Sequence, residues 1–193
     1  MSAAQHPHSP RADAQRNRAR LVAAATEAFS TAEGPVSMDS IARRAGVGSG
    51  TLYRHFATRE DLIEEVYRDQ IDRLRSGAEE LLAAHPPVQA LRQWTELLAD
   101  WAATKHGMHD ALAAFMASGR ITGSQMRAEL VSILRDFLDA GARAGTLKDD
   151  VDAADLGALL AGALVVAGDP AERAQLRRMF ALIIDGVVAD GGR

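Results

Sequence analysis

Cysteine is absent from the 193 residues, which excludes disulfides and thiolate metal sites and agrees with a reducing compartment. No apolar run approaches the roughly 18 uninterrupted residues of a membrane span. The longest, Ala158 to Ala167, is Ala, Gly, Leu and Val and suits a packed interface helix. The opening MSAAQHPHSPRADAQRNRAR lacks the apolar core of a secretory signal, so a cytoplasmic location is expected. Alternating runs and hairpin signals are missing too, and there are no internal repeats. Catalytic signatures are equally scarce: no phosphate-binding glycine loop followed by Lys, no HExxH, no nucleophile elbow. His6 and His8 have no third ligand nearby in sequence. Neither an enzyme nor a metal or cofactor site is expected.

What is present is a core-forming composition, 47% hydrophobic, with an uneven charge. The net charge is −4, but residues 1–59 hold eight arginines (11, 16, 18, 20, 43, 44, 54, 59) against four acids, giving +4. The remaining 14 basic and 22 acidic residues give −8. A basic contact module joined to an acidic body fits that split.

Residues 1–12, with His6-Pro7-His8-Ser9-Pro10, read as a flexible arm. Leu21, Ala24, Ala25, Ala28 and Phe29 then form one helical stripe, ended by Gly34-Pro35. Ser37 caps a short helix with Met38, Ile41, Ala42 and Ala45 on one face, and Gly46 suits the left-handed position just past its end. A third helix spans about Ser49 to Phe56. Thr58 caps a long fourth, with Leu62, Val66, Ile71 and Leu74 inward. Beyond Pro86-Pro87, Leu91, Trp94, Leu98 and Trp101 share a side, with a break near His106-Gly107. Thr122 to Gln125 has the form of a capping box. Asp152 with Asp155 opens the next helix, and Asp169-Pro170-Ala171-Glu172 the last. The expected fold is all-α with about nine helices: an arm (1–12), a helix-turn-helix domain (13–67) and a helical ligand-binding and dimerisation domain (68–193).

Two short helices joined through Ala45-Gly46-Val47-Gly48 compose a helix-turn-helix, whose second helix enters the DNA major groove. At about 100° per residue from Ser49, Leu52 and Phe56 fall near 300° and 340°, while Gly50 and Arg54 face away near 100° and 140°. Tyr53 and His55 flank that outer face, where their polar ends can reach phosphates, and Ser49 and Thr51 add hydroxyls. Arg43 and Arg44 lie off the apolar stripe of their own helix. Gly48 keeps the turn slim, and Gly50 removes a side chain where backbone must approach DNA. Arg11, Arg16, Arg18 and Arg20 could neutralise phosphates, or only solubilise the arm.

Through Ala24-Ala25, Phe29, Gly34, Ser37, Ile41-Ala42, Ala45-Gly46-Val47, Gly50 to Phe56 and Arg59 to Leu62, residues 17–67 resemble the DNA-binding domain of the TetR family of transcriptional regulators. The resemblance implies a homodimer on a near-palindromic operator, usually a repressor released by a small molecule. It implies base reading by Ser49, Gly50, Tyr53 and Arg54, and phosphate anchoring by Ser37, Thr51, His55 and Arg59. Two positions depart from the family pattern. Gly48 stands where Ser or Thr often caps the recognition helix, leaving Ser49 as the cap, and Ala57 replaces a frequent Lys. The body from about residue 76 matches the family less specifically, although Trp94 to Trp101 followed by Thr104-Lys105-His106-Gly107 is similar to a subgroup of actinobacterial regulators.

Trp94, Leu98, Trp101, Phe115, Met116, Met126, Leu130 and Phe137 are the candidate wall of an effector pocket, with plain core as the competing role. His106 and His109 could add polar contacts. Leu156, Leu160, Leu164, Phe180, Ile184 and Val187, on the last two helices, are the candidate dimer face, with internal packing competing. A rival function stays open at this point: a helical ligand-binding or scaffold protein whose helix-turn-helix is only structural.

Overall fold

A computed structural model describes residues 10–31, 34–108, 112–113, 116–117, 119, 122–167 and 172–189, the side chains of 10–12, 103 and 105–107 aside. Eight α-helices occur among these residues: α1 (Pro10–Ser30), α2 (Met38–Arg44), α3 (Ser49–His55), α4 (Arg59–Ala84), α5 (Pro87–Gly107), α6 (Gly123–Arg143), α7 (Ala153–Ala167) and α8 (Arg173–Val187). The ninth expected helix falls between 108 and 121, largely outside the described residues. Extended pairing is limited, among them, to one bridge, Leu147 with Val188, which ties the end of α8 to the turn after α6. No described helix is long and apolar enough to cross a membrane.

The local signals set the helix ends as the chemistry requires. Gly46 takes φ +70°, its N–H donates to the Arg43 carbonyl (3.1 Å) and the Val47 N–H to that of Ala42 (3.0 Å). This pairing satisfies the last carbonyls of α2 and turns the chain toward α3. Gly145, at φ +65°, closes α6 in the same way. Thr58 and Asp61 cap α4 reciprocally, and Thr122 and Gln125 do so for α6. Asp152 accepts from the Ala154 N–H (2.6 Å) and starts α7. Before α8, Glu172 makes no side-chain cap, and Asp169 to Ala171 lie outside the described residues. Helix α1 already includes Pro10, so the arm ends earlier than its composition suggests.

The predicted stripes form the core. Leu21, Ala25, Phe29, Ile41, Leu52, Phe56, Leu62 and Ile63 close the N-terminal bundle of α1 to α3 and the start of α4. In the body, Trp94 is fully buried, donates its indole N–H to the Leu74 carbonyl (2.8 Å) and stacks at a tilt 5.6 Å from Phe137. One continuous apolar cluster joins both parts. Near the mouth of the bundle, Glu96 on α5 binds Arg173 and Arg177 of α8, and the hydrogen bond from Arg177 holds its carboxyl below the usual range.

Candidate nucleic-acid interface and apolar cavity

The wheel assigned to α3 is the one observed. Leu52 and the following Phe56 are buried, whereas Ser49, Gly50, Tyr53 and Arg54 are exposed, Tyr53 to 50%. Thr51 and His55 lie half-buried at the flanks. A short helix thus presents three polar side chains and a glycine to solvent, away from its core anchors.

Capping is arranged differently from the expectation. Gly48 is the N-cap of α3 and offers no side chain, and Ser49 does not replace it. The Ser49 hydroxyl instead donates to Asp39 on α2 (2.7 Å), pinning the two helices together. Ser37 caps α2, accepting from the Ser40 N–H (3.2 Å). The role given to Gly48 in keeping the turn slim also fails. A β-carbon at Gly48 or Gly50 would meet nothing within 4 Å, and neither has a positive φ. Nothing in the fold demands glycine at 50; a close external surface would. Gly50→Ala should therefore leave thermal stability unchanged or raise it by up to about 1 kcal/mol through helix propensity, yet weaken DNA binding. Melting and DNA titration of the same sample check both signs.

The arginines separate into engaged and free. Arg44 pairs with Glu27 (2.9 Å) and Arg16 with Asp13. Arg59 donates to the Val36 carbonyl and lies 6.0 Å over the Phe29 ring, so its guanidinium anchors α4 to the turn before α2. Arg20, Arg43 and Arg54 are exposed and make no ion pair among the described residues. These three, rather than Arg59, are the cations left over for phosphates or bases.

Arg18 has a structural role that its place in a basic run does not announce. It grips Glu65 of α4 with two contacts (3.0 and 2.9 Å), donates to the terminal carbonyl of α3 at His55 (3.2 Å), and lies 4.5 Å over the Phe56 ring. A cation on the last carbonyl of a helix suits the helix dipole, and the fork needs arginine geometry. Arg18→Ala should lower DNA affinity by misaligning α3 and cost about 1 kcal/mol of stability, given its partial exposure. The slope of log affinity against log salt should stay unchanged; a phosphate contact would reduce it by about one.

A helix-turn-helix with an exposed arginine on its outer face, joined through α4 to a helical body that shares its apolar core, has close counterparts. The family model for bacterial regulatory proteins of the tetR family matches residues 21–66, and that for the C-terminal domain of SbtR-like transcriptional regulators matches residues 86–189. The chain belongs to the TetR family. It is a helix-turn-helix transcriptional regulator. A TetR transcriptional regulator from Streptomyces coelicolor, SCO0520, is 44% identical, with TM-score 0.81 over 90% of this chain and 99% of that one. A TetR regulatory protein from Mycobacterium vanbaalenii is 36% identical, with TM-score 0.71 over 94% and 100%. Among curated relatives, the HTH-type transcriptional repressor KstR2 of Rhodococcus jostii is 28% identical over 120 residues; the match spans 58% of each chain.

Helices α5, α6 and α7 line a cavity of about 900 Å³ that opens to one side. Trp94, Leu98, Trp101, Met116, Met126 and Leu130, six of the expected wall residues, line it. Phe137 does not; it is fully buried behind Trp94 as core. Phe115 and His109 lie outside the described residues, and the His106 side chain does as well. Sequence reasoning missed Gly157 and Ala161 because α7 is apolar on more than one side, and it missed Leu134 of α6 as well.

The residues expected at a dimer face sit elsewhere. Leu156, Leu160, Phe180, Ile184 and Val187 are buried in the chain's own core, and Leu160 and Leu164 line the cavity. Helices α7 and α8 instead expose Leu159 (57%), Val165 (87%), Val166 (61%) and Leu182 (72%).

Proposed function

We infer that this chain is a homodimeric repressor which reads a near-palindromic operator through α3 and is released by a small apolar effector. The observation that carries the reading is the outer face of α3, where Ser49, Gly50, Tyr53 and Arg54 stand clear of the core, with Arg43 exposed on α2. Direct base reading falls to Tyr53 and Arg54, with Ser49 at the helix start. Phosphate contacts fall to Arg43, Ser37, Thr51 and His55. One seven-residue helix buries too little DNA surface for tight specific binding, and two half-sites about one turn apart remedy this. The exposed apolar face of α7 and α8 is the surface that brings a second copy. An effector in the cavity acts on α4, which packs against α5 and α6 and starts directly behind α3. Domain limits follow: contact module to residue 67, effector and dimer body from 68. The family gives no catalytic step, and the reading needs no cofactor.

Sedimentation of the intact protein tests this. Two chains are expected in free solution and two per bound duplex. A monomer that binds random duplex one chain at a time would contradict it and favour the scaffold reading.

A further inference from the structure

The cavity carries charge in one unusual place. Gly123, Met126, Leu130, Val131 and Leu134 of α6 line it at the spacing of a single helix face, and Arg127 lies within that same stripe. A position in the middle of a cavity-facing stripe would be apolar if packing alone governed it. Arg127 instead lines the cavity with a charged side chain that is exposed, and among the described residues no group pairs with it. The other ionisable lining residue, Glu172, stands off the stripes at the N-cap of α8.

The polarity is directional. Arg127 and Glu172 sit where α6 and α8 begin, whereas the opposite end is formed by Trp94, Leu134 and Gly157 with no polar side chain except the indole N–H, already donated to Leu74. From Arg127 to Leu134 the helix rises about 10 Å, so a ligand headed by Arg127 meets a long, purely apolar wall. The geometry points to an apolar monocarboxylate, with an elongated hydrocarbon body toward Trp94 and its carboxylate on Arg127, as the effector class of this regulator. This rests on the effector reading above. The arginine fork matches a carboxylate with two parallel hydrogen bonds, while the apolar end supplies affinity without direction.

The protein contains its own reporter, because its two tryptophans, Trp94 and Trp101, both line the cavity. Intrinsic fluorescence of the intact protein should be titrated with decanoate, 1-decanol and decylamine. Decanoate should bind about tenfold tighter than decanol, the worth of one charge-assisted hydrogen-bond pair. Arg127→Gln should erase that preference and Glu172→Gln should strengthen decanoate binding a few-fold; both positions are exposed, so circular dichroism should be unchanged. Decanol or decylamine binding as well as decanoate, or a preference that survives Arg127→Gln, would overturn the carboxylate assignment while leaving an apolar effector site. If no probe changes the fluorescence, the assignment fails, and if none releases bound DNA either, the effector reading fails with it.

Discussion

Leu182→Glu should turn the dimer into a folded monomer. Leu182 is 72% exposed on α8, the helix packed against α7 with its exposed Leu159 and Val166, so glutamate there costs the isolated chain almost nothing. In a twofold interface the substitution occurs twice, once on each copy, and each carboxylate would enter an apolar contact without a partner. An unpaired buried charge costs about 3–5 kcal/mol, which raises the dimer dissociation constant by a hundredfold or more. Operator binding should fall in parallel because a single α3 grips only one half-site. Sedimentation gives the mass and circular dichroism confirms the fold. Leu160→Glu makes the contrast, since Leu160 is buried inside the chain and its replacement should unfold the protein rather than split it. A Leu182→Glu protein that remains dimeric would move the interface off α7 and α8.

The second large effect is expected at Arg54. Its guanidinium is exposed on the outer face of α3 and makes no ion pair, whereas Arg18, Arg44 and Arg59 are held by Glu65, Glu27 and the Val36 carbonyl. An arginine that forks onto a guanine edge contributes about 1–3 kcal/mol of discrimination, and a symmetric operator loses it at both half-sites. Arg54→Ala should therefore lower affinity for the specific duplex far more than for random DNA and flatten base preference at one position of each half-site. Arg43→Ala, lying off the α3 face, should instead lower affinity for all duplexes evenly and reduce the salt slope by about one. Equal losses on specific and random DNA for both variants would remove the base-reading role from Arg54.

Much of this architecture was legible because local chemistry determines it. Gly46 predicts the left-handed turn that its +70° φ supplies, Thr122 with Gln125 predicts a capping box, and Leu52 with Phe56 fixes which side of α3 faces out. Amphipathic phase is the source of that power, and it fails where a helix has no polar side. Past Asp155 in its first turn, helix α7 is apolar all round: Leu156, Leu160 and Ala163 are buried and Leu159 and Val166 are exposed, with no polar residue from Leu156 onward to separate the two faces. The surface proposed for the dimer therefore could not be told from its core. Long-range pairing is equally silent in sequence. Arg18 and Glu65 are 47 positions apart, and nothing about Arg18 in a run of arginines shows that it braces the recognition helix rather than touching DNA. Phe137 has the spacing of a cavity residue, but Trp94 stands between it and the space.

Sequence reading by a symmetric pair of α3 helices is best examined by selecting bound duplexes from a random pool with the intact protein at near-physiological salt. Enrichment of a near-palindrome with half-sites about one helical turn apart, lost in Arg54→Ala, is the expected result. A pool that shows no enrichment, with binding that disappears as salt rises, would reduce the interface to a weak electrostatic contact and contradict a base-reading regulator.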